Sequence, residues 1–262
     1  MLPIGCPAIF DCPCGPCMTP AQRQALAART AAIAHELELA RAAVGHGQSP
    51  ASEPHAGQPV LRSGRSPKDA RLVAIMLHGR GASAEDILGL ADHFSARDVA
   101  YLAPQAAGSG WYPYSFLAPM AQNEPWLGSA LRVVASLADD IAQQGIPPER
   151  LVVMGFSQGA CLTLEFAARH ARRYAAVVAF TGGLIGPAGT RRDYTGDFAG
   201  TPVLIGSSDV DPHVPLERVQ ESTAVFRRMG AVVDERIYPR MGHTINADEL
   251  QAADALLGRD RG

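Results

Sequence analysis

The sequence has a single lysine, Lys68, few aromatic residues and no long hydrophobic run. Its 23 Lys and Arg residues nearly balance 26 Asp and Glu residues, so the formal net charge is -3. That charge gives no reason to expect nucleic acid or an anionic membrane surface as a partner. No apolar stretch approaches the roughly 20 residues that a bilayer-spanning helix needs. We therefore expect no nucleic-acid partner and no stable membrane insertion.

Cysteine is scarce outside the beginning of the chain. Cys161 stands alone, and the other four cysteines lie at positions 6, 12, 14 and 17. A disulfide framework is typical of small secreted domains, which a chain of 262 residues is not. Four thiolates could bind zinc, but Cys12 and Cys14 are closer together than usual zinc-ligand pairs and no second pair follows. We predict no metal site and interpret these cysteines as part of a poorly ordered leader.

Composition divides the chain into a leader, residues 1–69, and a periodic domain, residues 70–262. Within the leader, residues 21–44 consist mainly of strong helix formers and predict one amphipathic helix. Residues 45–68 are rich in Gly, Pro and Ser and predict a linker. The N-terminus has neither the basic start nor the apolar stretch of a secretory signal, which favours a cytoplasmic location.

Strand and helix patterns alternate through the periodic domain. The strand patterns cover residues 72–77, 99–103, 151–154, 175–180, 202–205 and 232–238. The helix patterns cover residues 84–94, 125–144, 158–170, 215–229 and 246–257. This alternation predicts an α/β fold with a mostly parallel central sheet and helices on both faces. In such sheets ligands bind beyond the carboxyl ends of the strands.

The segment Gly155-Phe156-Ser157-Gln158-Gly159 follows one strand pattern directly and precedes a helix pattern. It has the form of a nucleophile elbow, a turn so sharp that larger side chains beside the serine would collide. The serine hydroxyl is then exposed beside a helix N-terminus, which favours negative charge. A chance match is the alternative, but the required strand–turn–helix context is present. We predict that Ser157 is a nucleophile.

A serine nucleophile needs a base, and the base must be oriented by an acid. His243 follows the last strand pattern, where a loop can bring its imidazole over the elbow. Asp209 and Asp211 follow the fifth strand pattern, and the residues alone leave both open as the acid. The other aspartate would be a turn or cap residue. The chain order of serine, acid and histidine is that of α/β-hydrolases.

The segment from His78 to Gly81 follows the first strand pattern of the domain. In α/β-hydrolases the loop at this place donates one backbone N–H to the oxyanion, and the residue after the nucleophile donates the other. We therefore assign the backbone amides of Arg80 and Gln158 to oxyanion binding. His78 itself is expected to make a structural hydrogen bond.

Aromatic residues are concentrated between positions 104 and 126, near the end of a strand pattern. Such a loop suggests an apolar pocket for the substrate. The alternative is a loop whose aromatic side chains pack into the protein. The residues assigned to the pocket are Trp111, Tyr112, Tyr114 and Phe116.

Four motifs in this order resemble the phospholipase/carboxylesterase family, which includes acyl-protein thioesterases. They are His78-Gly79-x-Gly81, the elbow with the following Ala160, Asp211-Pro212-His213-Val214-Pro215 and Gly242-His243. The resemblance covers about residues 70–258 and implies an α/β-hydrolase fold that works without metal or organic cofactor. The sequence itself contains no long insertion that could serve as a lid, so we expect no large lid. It also implies that the aspartate before Pro-x-Val-Pro, Asp211, is catalytic. Arg80 departs from the family pattern, where an apolar residue is common at this place.

Together the residues and the resemblance predict a serine hydrolase that cleaves small-molecule carboxylic esters or thioesters through an acyl-enzyme. A dienelactone-type or deacetylase-like hydrolase is the alternative within enzymes. A non-catalytic binding protein on the same fold is the alternative outside them, since a fold alone does not establish activity. The sequence leaves open whether the protein forms a homodimer.

Overall fold

The computed structural model describes residues 53–259. Within this part of the chain, seven strands form one sheet in the order β1-β3-β2-β4-β5-β6-β7. β1 runs antiparallel to β3, and each of the other neighbouring pairs is parallel. The strands are β1 (Val60–Gly64), β2 (Leu72–Leu77), β3 (Val99–Pro104), β4 (Leu151–Phe156), β5 (Ala176–Phe180), β6 (Pro202–Ser208) and β7 (Val232–Tyr238).

Five α-helices follow strands in the described residues, with none between β1 and β2 or between β5 and β6, and the connections include no long lid. A capping box begins the last helix: the Asn246 side chain accepts from the Glu249 amide, and the Glu249 carboxylate accepts from the Asn246 amide. None of the helices in residues 53–259 is both long and apolar enough to cross a membrane. The helices are α1 (Ala84–Leu88), α2 (Trp126–Gln143), α3 (Gln158–Arg169), α4 (Leu216–Arg228) and α5 (Ala247–Leu257).

The central strands β2 to β5 are buried along their whole length. Continuous apolar runs are expected for parallel strands with both faces covered, because no side chain points to water. Every residue of α3 from Gln158 to Ala168 is buried as well. The predicted α/β class with a mostly parallel sheet is therefore confirmed, and every predicted strand is present.

The interpretation of residues 45–68 as a linker is wrong for Val60–Gly64, which form β1. This strand pairs with β3 from Val60 opposite Pro104 to Gly64 opposite Ala100, and Leu61 is buried. β1 lies at the edge of the sheet and has only one fully buried side chain, so its sequence carries almost no apolar pattern. The domain therefore begins before residue 70, whereas the predicted helix at 21–44 and the N-terminal cysteines lie outside the described residues.

We expect Leu61→Ala to lower the free energy of unfolding by about 2 to 3 kcal/mol, because it leaves a cavity between β1 and the core. Urea denaturation followed by circular dichroism measures the change. Arg62→Ala, at the exposed neighbouring position, should stay within about 0.5 kcal/mol of the wild type. Equal stability of the Leu61→Ala variant and the wild type would contradict the placement of β1 in the folded domain.

Candidate active site

Ser157 lies between β4 and α3 in a strained backbone conformation. Its φ of 54° and ψ of -118° are rarely adopted by a residue other than glycine. A Cβ on Gly155 would lie 2.5 Å from the Gly159 carbonyl carbon, and a Cβ on Gly159 would overlap the Leu77 carbonyl oxygen. Both glycines are therefore required by space, as the elbow motif predicts.

Ser157, His243 and Asp211 form one continuous chain of hydrogen bonds. The distance from Ser157 Oγ to His243 Nε2 is 2.7 Å, and that from His243 Nδ1 to Asp211 Oδ2 is also 2.7 Å. A carboxylate can only accept, so Nδ1 carries the ring proton and Nε2 is free to accept from the serine hydroxyl. This is the arrangement in which imidazole acts as a general base.

The carboxylate of Asp211 is held by several donors. Its side chain is buried, and Oδ1 accepts from the backbone amides of His213 and Val214 at 2.8 Å each. Burial alone would raise the pKa of Asp211, but the hydrogen bonds from His243 and the two amides outweigh it and lower the pKa. Asp211 is therefore ionised at neutral pH.

Asp209 has a different partner from Asp211. Its Oδ1 accepts from the Arg240 amide at 2.7 Å. Ser208, at the end of β6, donates its hydroxyl to the Met241 carbonyl at 2.5 Å. Asp209 and Ser208 thus join the loop after β6 to the loop that carries His243. Asp209 fits the alternative of a turn residue, and Ser208 is a positioning contact that sequence reasoning missed.

The two assigned oxyanion amides belong to two segments that meet at the elbow, the loop after β2 and the first turn of α3. Gln158 is the first residue of α3, where helix geometry leaves the N–H without an intrahelical acceptor. A Cβ on Gly79 would lie 3.3 Å from the Phe156 ring and 3.5 Å from Ser157 Cβ. The loop that contains Arg80 therefore packs directly on the elbow.

Residues 57–258 match the family model described as phospholipase/carboxylesterase. The chain belongs to the phospholipase/carboxylesterase family. A crystal structure of a phospholipase/carboxylesterase from Dyadobacter fermentans is 46% identical, has a TM-score of 0.75, and covers 77% of this chain and 97% of that chain. The predicted resemblance is confirmed, and the match begins before residue 70, which agrees with the position of β1.

Two curated relatives show the range of names in the phospholipase/carboxylesterase family. The Arabidopsis thaliana protein named "Probable carboxylesterase SOBER1-like" is 27% identical over 205 residues, which are 72% of this chain and 78% of that protein. Acyl-protein thioesterase 1 of Saccharomyces cerevisiae is 25% identical over 213 residues, which are 73% of this chain and 93% of that protein.

The aromatic residues assigned to a substrate pocket are mostly core residues in this family member. Trp111 and Tyr112 are 0% and 1% exposed, and Phe116 is 7% exposed. Side chains with so little accessible surface present no face to a substrate, so the packed-loop alternative holds for these three. Tyr114, at 57% exposed, is the one residue of the assigned set that a ligand could reach.

His78 makes the structural hydrogen bonds that were expected of it. Its Nε2 accepts from the Ala106 amide at 3.0 Å, so Nδ1 carries the proton and donates to the Gly79 carbonyl at 2.8 Å. Burial lowers the pKa of His78 and keeps the ring neutral. His78 thereby fixes the start of the loop that contains Arg80.

His55 belongs to the domain and not to a leader. Its Nδ1 accepts from the Ala107 amide at 3.1 Å, and its Nε2 donates to the Trp111 carbonyl at 3.0 Å. Burial lowers the pKa of His55 as well. Sequence reasoning missed this residue because a lone histidine between Pro54 and Ala56 carries no pattern.

Glu249 is a buried carboxyl group close to the strand that leads to Asp211. Its Oε2 accepts from the Asn246 amide at 2.9 Å, and its side chain occupies the space that a Cβ on Gly206 would take. Burial raises the pKa of Glu249 from 4.5 to about 7. The folded protein therefore binds this proton more tightly than the unfolded chain does.

Because of Glu249, stability should fall as the pH rises from about 4.5 to about 7, by at most about 1.4 kcal/mol per pH unit. Glu249→Gln removes the titration, and we expect a flatter profile than that of the wild type across this window. Urea denaturation at half-unit pH steps measures both profiles. Glu217→Gln, at an exposed position on α4, is the control and should keep the wild-type slope. Parallel profiles for wild type and Glu249→Gln would refute the raised pKa.

Proposed function

We propose that this protein is a serine hydrolase that cleaves carboxylic esters or thioesters through an acyl-enzyme on Ser157. The observation that carries the proposal is the pair of 2.7 Å hydrogen bonds from Ser157 through His243 to Asp211. A serine hydroxyl is a weak nucleophile by itself, and an adjacent neutral imidazole with an oriented tautomer removes this obstacle. Family membership supports the same reaction class.

In the proposed reaction, His243 Nε2 takes the proton of Ser157 as the serine oxygen attacks the carbonyl carbon of the substrate. The backbone amides of Arg80 and Gln158 donate to the oxyanion that forms. His243 then protonates the oxygen or sulfur of the leaving group. In the second half of the reaction, His243 takes a proton from water as the water oxygen attacks the acyl-enzyme, and it returns the proton to Ser157 as the carboxylic acid is released. Asp211 stays ionised throughout and stabilises the imidazolium.

The proposed substrates are small-molecule esters or thioesters with an accessible carbonyl. Both classes react through a tetrahedral intermediate that bears an oxyanion, and the relatives include proteins named carboxylesterase and acyl-protein thioesterase. No group of three or more metal-binding side chains occurs in residues 53–259, and no proposed step requires a metal. A cytoplasmic location and a homodimer stay predictions.

The nucleophile is tested by labelling with a fluorophosphonate probe. The wild-type protein should form a covalent adduct, because the probe traps an activated serine, and Ser157→Ala should lose both the adduct and turnover of p-nitrophenyl acetate. Ser95→Ala removes an exposed serine outside the proposed site and should label as the wild type does. Labelling that persists in Ser157→Ala would disprove the assignment.

The acid is tested by the same substitution at two positions. Asp211→Asn should lower kcat by about 10⁴-fold, because the amide favours the wrong imidazole tautomer. Asp209→Asn keeps an oxygen that can accept from the Arg240 amide, and we expect kcat within a few-fold of the wild type. Steady-state kinetics with p-nitrophenyl acetate measures both. The reverse ranking of the two variants would make Asp209 the acid.

A further inference from the structure

The side chain of Gln158 is used for a purpose separate from its backbone amide. Its Oε1 accepts from the Trp111 amide at 2.8 Å, and its Nε2 donates to the Tyr112 carbonyl at 2.8 Å. Gln158 is buried, so both hydrogen bonds are shielded from water. The residue after Ser157 is therefore bound to residues 111 and 112 by its side chain.

The side chain of Arg80 binds the next two residues of the same segment. Nη1 donates to the Pro113 carbonyl at 2.9 Å, and Nη2 donates to the Tyr114 carbonyl at 2.7 Å. The guanidinium carbon also lies 5.8 Å from the centre of the Tyr112 ring. The residues that supply the two assigned oxyanion amides are thus both bound, through their side chains, to residues 111–114.

Residues 111–114 contain no helix or strand, so their backbone groups need other partners. The Trp111 carbonyl accepts from His55, and the Tyr114 amide donates to Asn123 Oδ1 at 2.9 Å. His55 and Asn123 are themselves buried. With Gln158 and Arg80 added, each of the four carbonyls from 111 to 114 accepts a hydrogen bond from a side chain. The segment is a fixed support that is held from several sides.

An oxyanion site depends on the relative position of its two donors. Each N–H must lie about 2.7 to 3.1 Å from the oxygen that develops charge, and a misplacement of about 1 Å can cost about 10²-fold in rate. Arg80 and Gln158 follow different strands, β2 and β4, so their separation depends on the contacts that join the two loops. Residues 111–114 are the segment to which both side chains bind.

We propose that the side chains of Arg80 and Gln158 are positioning groups, which set the separation of their own backbone amides by binding residues 111–114. The proposal rests on the proposed function, because it assumes that these amides bind an oxyanion. It gives Arg80, which departs from the family pattern, a role that an apolar side chain could not fill. It also accounts for the packing of the buried residues Trp111 and Tyr112 against the site.

Arg80→Met and Gln158→Met test this role, because each removes the side-chain hydrogen bonds and keeps the backbone amide. We expect kcat to fall by about 10- to 100-fold with little change in KM, since only the transition state carries the oxyanion. The inhibition constant of an alkyl trifluoromethyl ketone, whose adduct with Ser157 bears an oxyanion, should rise by the same factor as kcat/KM falls. The double variant should lose less than the product of the two single losses, because both changes release the same segment.

Two control variants separate positioning from a general loss of structure. Arg173→Met removes an arginine that donates to the Ala199 carbonyl at 2.8 Å outside the proposed site, and it should keep the wild-type kcat and inhibition constant. Arg80→Lys keeps a donor at the same position and should recover part of the activity that Arg80→Met loses. Thermal unfolding of each variant verifies that it is folded. If Gln158→Met does not fold, the comparison of Arg80→Met with Arg80→Lys tests the proposal, because the Arg80 side chain is exposed and its replacement should not prevent folding.

Folded variants with unchanged kcat and unchanged trifluoromethyl ketone inhibition would overturn the proposal. A rise in KM alone would also overturn it, because it would mean that residues 111–114 contact the substrate in its ground state. Fluorophosphonate labelling of the wild type keeps the two proposals apart. A wild type that does not label refutes the proposed function, whereas a labelled wild type with unaffected variants refutes the positioning role alone.

Discussion

The close contact between the first turn of α3 and the end of β2 is the constraint on which the site depends. Gly159 approaches the Leu77 carbonyl so closely that no side chain fits between them. This approach holds Ser157 in its strained conformation and brings the loop of Gly79 onto the elbow. This packing contact between two neighbouring parallel strands therefore brings together the elbow of Ser157 and the two segments that carry the assigned oxyanion amides.

The proposed base and the proposed acid reach this elbow from the loops after β7 and β6. His243 and Asp211 lie on loops, where side chains are less constrained than on strands. Contacts from Ser208 to the Met241 carbonyl and from the Arg240 amide to Asp209 join the two loops. Hydrogen bonds thus attach the loop that carries His243 to the end of β6 and the residue after it, whereas Ser157 is held by steric fit.

Pattern reasoning succeeded where the local sequence must satisfy a strong physical requirement. Buried parallel strands must be continuously apolar, and the elbow must carry glycines, so both can be recognised without a structure. It failed at β1, where an edge strand needs only Leu61 in the core. It also failed for Trp111 and Tyr112, because an aromatic side chain in a loop can face a pocket or the core, and composition does not distinguish the two.

The sequence by itself determined the α/β class, the elbow at Ser157 and the candidate base, because each depends on residue types at short spacing. Between Asp209 and Asp211, the residues alone allowed no choice, and the resemblance favoured Asp211. Only the tertiary structure decided which carboxylate lies 2.7 Å from His243. It alone also brought Arg80 and Gln158 to the same four residues, because contacts between distant segments depend on how the strands are ordered in the sheet.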